Sequence, residues 1–194
     1  MNYMVRNVKA PTVENPELLD KIIANIQNGL VDNIGWLDKA FGRAERLVKY
    51  DVNGKKIYTP NVYAGENDYT CVTPDSGIGN FSFFWIDDPQ NVEWEPGVSI
   101  GIKAPFSLIV WFDFRTITNS SNIRDKESVK RQILDVLNGG FWLKSGSITV
   151  NKVYELAENI YKGFSLDEID NQFLMHPYGG FRFEGELQIS ENCV

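Results

Sequence analysis

From Phe181 to Ile189 the chain alternates strictly. Phe181, Phe183, Leu187 and Ile189 point one way, with Gly185 among them, and Arg182, Glu184, Glu186 and Gln188 point the other. A period of two marks a half-buried antiparallel strand with one dry and one wet face. Tyr178-Gly179-Gly180 before it supplies the backbone freedom for a sharp turn. Near the start, Leu19, Ile22, Ile23, Ile26 and Leu30 fall at helical spacing on one stripe, and Asn15-Pro16 supplies a cap and a first helical residue. The pattern predicts a helix over 16–30 that packs one face on a sheet, preceded by an extended arm over 1–13.

Residues 33–46 stay open between a short helical turn and loop. Val48 to Val52 and Lys55 to Tyr63 flank Asn53-Gly54, which predicts a hairpin with a two-residue primed turn. Pro60 should end that pairing or put the second strand on an edge. Glycine, proline and asparagine mark 64–80 as a loop insertion, in which Tyr69 to Thr73 could form a short strand. Phe81 to Ile86 reads as a strand buried on both faces. A second insertion covers 87–105, and Phe106 to Ile117 is the longest strand candidate. The stripe Val129, Ile133, Val136 and Leu137, stopped by Gly139-Gly140, predicts a second helix over 123–138. Ser147 to Tyr154 alternates as a strand, while Val153 to Tyr161 is equally open to helix. Ser165-Leu166-Asp167-Glu168 matches a capping box, with a short helix to about Phe173. Together these predict one α+β domain over 1–194. Its antiparallel or mixed sheet has about four to six strands, with the two main helices on one face and long loop insertions.

Composition narrows the function classes. The 194 residues can bury a full core without disulfide staples. With 26 acidic against 19 basic side chains and a net charge of -7, sequence-specific grip on nucleic acid is disfavoured, though transient passage of DNA is compatible. Cys71 and Cys193 lie far apart and His176 is the one histidine, so neither a disulfide nor a transition-metal site nor a cofactor is expected. No signal pattern opens the chain and no run is long enough to cross a membrane.

The search for catalytic groups yields little. A nucleophilic triad would have to run through His176, which sits in the turn between Met175 and Pro177. Glu184 and Glu186 share one strand face about 7 Å apart, and Glu93 and Glu95 flank Trp94; these are the residues a carboxylate-dependent hydrolase would use. Charge on a wet strand face is the commoner reason for such residues. Gly77-Ile78-Gly79-Asn80 lacks the third glycine and the Gly-Lys-Ser/Thr of a phosphate loop, and it precedes a strand.

The order of elements does resemble something. A first amphipathic helix, a hairpin, a long central strand, a second helix and the ending His176-Pro177-Tyr178-Gly179-Gly180-Phe181-Arg182-Phe183-Glu184 are similar to the tail-terminator and tail-completion proteins of tailed bacteriophages. That resemblance implies a non-enzymatic subunit that assembles into a ring at the head–tail junction, through which DNA passes. Its partners would be copies of itself and neighbouring neck or tail proteins, in the virion after synthesis in the host bacterial cytoplasm. The chain is rich in aromatic residues, 13%, which suits interface surfaces. The interface candidates are Tyr69, Phe84, Trp85, Trp94, Trp142, Tyr178 and Phe181. The alternative reading is a cytoplasmic α+β binding or protein-interaction module of unknown ligand.

Overall fold

A computed structural model of the chain describes residues 15–65, 68–96, 99–118, 125–139 and 146–192. The expected N-terminal arm lies outside them. Helix α1 (Leu18–Asn33) leads into β1 (Lys39–Tyr50), β2 (Lys56–Gly65), β3 (Asp68–Cys71), β4 (Phe81–Ile86) and β5 (Asn91–Glu95). Next come β6 (Ser99–Asp113), α2 (Phe114–Thr118), α3 (Lys126–Gly139), β7 (Gly146–Tyr154) and α4 (Ala157–Ile160). Two 3₁₀ turns (Leu166–Glu168 and Asn171–Leu174) and β8 (Tyr178–Asn192) complete the order.

The strands form a mixed sheet in the order β3-β2-β1-β4-β6-β8-β7, with β5 beside β6 past the end of β4. Only β1 and β4 run parallel; every other pair is antiparallel. The spine is β6 against β8, in register from Ser99↔Asn192 to Asp113↔Tyr178.

This overturns the expected α+β fold with four to six strands: the sheet has eight, and two of the four helices are short. β5, which the sequence pattern does not predict, and the first part of β6 lie in 87–105, a stretch expected to be a loop insertion, while β3 lies in 64–80, where Tyr69 to Thr73 is open to a short strand. Every residue of β5 is exposed, so no apolar alternation announces it. Its register against β6 is set by backbone hydrogen bonds, which side-chain pattern does not encode.

Smaller corrections have equally local causes. Helix α1 starts at Leu18 with Glu17 as an N-cap that makes no side-chain bond, and Asn15 takes a positive φ of 55°. The hairpin turn is wider than two residues. Gly54 N–H donates to the Asp51 carbonyl and Asp51 N–H to that of Lys55, Gly54 alone takes positive φ, and the Asp51 carboxylate accepts from Asn53 N and Lys55 N. A primed turn would need positive φ at Asn53 as well. Pro60 does not end the pairing with β1, but from Pro60 back to Lys56 β2 has β1 as its one strand neighbour among the described residues and is locally an edge. The proline sits in the strand opposite Arg46, where β3 gives out, and its carbonyl accepts Val72 N–H. Ser165 stands at the N-cap of the first 3₁₀ turn but makes no side-chain cap bond: its N–H and Oγ hold the Tyr58 backbone instead.

Two apolar layers flank the sheet. On one face α1 and α3 bury Ile22, Ile23, Ile26, Leu30, Val129, Ile133 and Leu137 against Phe84, Phe106, Leu108, Phe181, Phe183 and Leu187. Burying each such side chain contributes roughly 1.5–3 kcal/mol. On the other face α4 and the 3₁₀ turns bring Ile160, Tyr161, Ile169 and Phe173 over Phe81, Phe83, Ile109 and Trp111. The side of β8 that sequence marks as wet is therefore covered at its start, and Arg182 is 3% exposed.

Candidate functional site

The sheet forks at one end. β1 runs parallel to β4 as far as Arg43↔Phe84, and beyond that point it continues to Tyr50 paired with β2 alone. β4 is followed in the same direction by β5, which pairs with β6 alone. No pairing joins β1 to β5 among the described residues. One prong is the β1–β2 hairpin, exposed on both of its faces from Glu45 to Lys56 except at Asp51. The other is β5 with the start of β6, backed by β8.

Both prongs carry apolar side chains into solvent. Tyr50 is 64% exposed and Val52 100% on the hairpin; Val92 is 60% and Trp94 70% on β5. Val92 and Trp94 stand opposite Ile102 and Ile100, so they extend the helix-covered apolar layer past its cover. The prongs differ in charge. Arg43, Arg46, Lys49, Lys55 and Lys56 outnumber Glu45 and Asp51 on the hairpin, whereas Glu93 and Glu95, with Asp88 in the connection that leads to them, outnumber Lys103 on the other side. Lys103 Nζ donates to Glu93 at 3.1 Å within its own prong.

Where the prongs part lies a cavity of about 410 Å³, lined by Arg46, Trp85, Asp87, Lys162, Phe164 and Arg182 among others. Arg182 is its centre. Its Nε donates to Glu184 at 2.8 Å and its Nη1 to the Lys162 carbonyl at 2.9 Å, while Nη2 stands 3.9 Å from Asp87. Asp87 accepts Trp85 Nε1–H at 2.7 Å and the Ser107 hydroxyl at 3.2 Å. A buried cation needs such partners, because the interior does not replace its hydration. The network ties β4, β6 and β8 to the segment after α4 and braces the root of the fork. The hairpin is tethered from the same side: Tyr58 N–H donates to Ser165 Oγ at 3.1 Å, Ser165 N–H to the Tyr58 carbonyl at 2.8 Å, and Lys55 pairs with Asp167.

The sequence-derived interface residues scatter. Trp94 stands on a prong. Trp85 is half-buried in the cavity wall, edge-on to Phe164. Tyr69 lies on the β3 edge against Tyr63. Tyr178, at the far end of β8, stacks under Arg115, whose Nη2 donates to its hydroxyl at 2.9 Å. The Asp113 carboxylate beside it raises the Arg115 guanidinium above its ordinary value. Phe84 and Phe181 are wholly buried beneath α1 and α3 and have no surface to offer a partner. Trp142 lies outside the described residues. The exposed hairpin residues Leu47, Val48, Tyr50 and Val52 were missed because β-prone runs across Asn53-Gly54 predict only a hairpin; nothing in sequence says that a strand outruns its sheet.

The candidate acid–base groups do not converge. Glu184 is committed to Arg182, Glu186 points to solvent, and Glu93 and Glu95 lie on β5 at the sheet's edge. His176 is exposed and its ring stacks on Phe114. Among the described residues no group of three or more His, Cys, Asp or Glu is placed to hold a metal, and no helix is long and apolar enough to cross a membrane. Compared with known proteins, the chain matches no family model, and no curated sequence matches it.

Proposed function

We propose that this chain is a non-enzymatic structural subunit that assembles with copies of itself into a ring, as a tail-terminator-like protein of a phage or prophage neck. What supports the reading is the forked end of the sheet. Two strand edges without a neighbour and a set of exposed apolar side chains, Val52, Trp94, Tyr50 and Val92, stand on elements that the rest of the chain does not cover. Exposed apolar residues grouped on projecting elements mark surfaces that meet another protein. Unpaired strand edges invite further pairing unless something covers them. A neck subunit needs such flanks and a surface along which DNA slides, and the net charge of -7 suits the second need. The phage assignment rests on the resemblance in element order and in the chain's ending. Light scattering on the purified chain at high concentration should give one discrete mass several times the 22.1 kDa monomer, and negative-stain images should show annuli. A protein that stays monomeric throughout would overturn the reading.

A further inference from the structure

We propose that the subunits join head to tail through the fork: the basic β1–β2 prong of one copy docks on the acidic β5 prong of the next. The inference rests on the ring reading above and specifies its interface. Three features of the structure converge on it.

The first is charge. The chain is acidic as a whole, yet five of its 19 basic residues fall between Arg43 and Lys56. Glu93 and Glu95 stand on the other prong, with Asp88 in the connection that leads to it. Opposite patches on one polypeptide can be satisfied within the molecule or between copies. Here Lys55 pairs with Asp167 and Lys103 with Glu93, and neither of these pairs runs from one prong to the other. The second feature is apolar surface beside the charge. Leu47, Val48, Tyr50 and Val52 stand on the basic prong, and Val92 and Trp94 on the acidic one. Charges placed only to protect a strand edge would not need exposed tryptophan between them. The third is the backbone. β1 beyond Arg43 and β5 each have one strand neighbour, so each keeps an edge able to take a strand from another chain.

The two patches are different surfaces of the same chain, so the contact is heterologous. Repeated, it propagates around an axis and closes into a ring when the rotation per step divides a full turn. A self-complementary contact would stop at a dimer.

The test is charge reversal, read by sedimentation velocity. Glu93→Lys with Glu95→Lys, and separately Arg43→Glu with Lys56→Glu, should each raise the dissociation constant by about tenfold or more, the scale of interfacial charge pairs. The chain carrying all four reversals should regain assembly, because both prongs have exchanged sign. An equimolar mixture of the two double variants should also assemble, while neither does alone. Should a reversal lose cooperative thermal unfolding, Glu93→Gln with Glu95→Gln takes its place, with the same expected direction. If the natural chain forms its ring and neither double variant weakens it, or the fourfold variant fares no better than either double, the fork is not the interface although the ring stands. A natural chain that is monomeric overturns the ring itself.

Discussion

Tyr161 is closed off from solvent between Phe83 and Trp111, and its hydroxyl has no hydrogen-bond partner among the described residues. Burial pushes that hydroxyl well above the ordinary tyrosine value, with a smaller contribution in the same direction from Cys71. The sign follows by linkage. Above about pH 10 the unfolded chain releases this proton while the folded one keeps it, so stability is full below that pH and falls as pH rises past it. Tyr161→Phe should remove this part of the alkaline loss, and urea unfolding between about pH 9 and pH 11 would show it. At neutral pH the variant should be unchanged or up to about 1 kcal/mol more stable, since it deletes a buried donor that bonds to nothing. A neutral-pH loss of several kcal/mol would mean that the hydroxyl has a partner. Trp111 Nε1 is likewise buried with no partner among the described residues, whereas Gln27 and Asn80 are bonded. Gln27 donates to the Phe41 carbonyl and accepts the Ser82 hydroxyl at 2.7 Å, locking α1 to β1 and β4. Asn80 joins the Trp36 carbonyl, Thr116 and Asp113 N–H at 2.7–2.8 Å. In sequence Gln27 sits among the apolar residues of a helix, and Asn80 follows two glycines in what reads as loop. Their partners lie from 14 to 55 residues away, which no local pattern reports.

Among the elements, those with a buried face are the ones the sequence spells out. β4 has the limits that Phe81 to Ile86 suggested, because both its faces are packed. The second helix shows Val129, Ile133 and Leu137 buried at the expected spacing. β7 has a subtler anchor. A Cβ on Gly185 would fall onto the Thr149 carbonyl, next to the register shift between Val150 and Lys152. The closing strand therefore needs glycine there for the approach of another backbone, not for a turn. Gly185→Ala should cost about 1–3 kcal/mol, as overpacking does, and should loosen β7 from β8. Chemical denaturation gives the first quantity, and hydrogen exchange at residues 146–154 the second. An alanine variant of unchanged stability would show that the bulge has room to shift. β5 stands at the opposite extreme from β4: wholly exposed, paired on one side, and written in residues that resemble a loop.

At the scale of the whole molecule, a net charge of -7 conceals a division of charge between two projections. If opposite prongs hold the ring together, added salt should weaken it. Going from about 0.1 M to about 1 M shortens the screening length from about 10 Å to about 3 Å. Light scattering across that range should show the mass falling toward the monomer. A mass that holds or grows would make apolar contact the dominant force. The sequence by itself determined where the apolar stripes lie, hence α1, α3, β4 and the core of the β6–β8 spine, for burial writes its period directly into residue order. Only the tertiary structure decided how many strands the sheet holds, that Arg182 is buried, and that β1 and β5 part company. Those facts depend on backbone pairing and on which segment covers which face, and neither leaves a periodic mark on the chain.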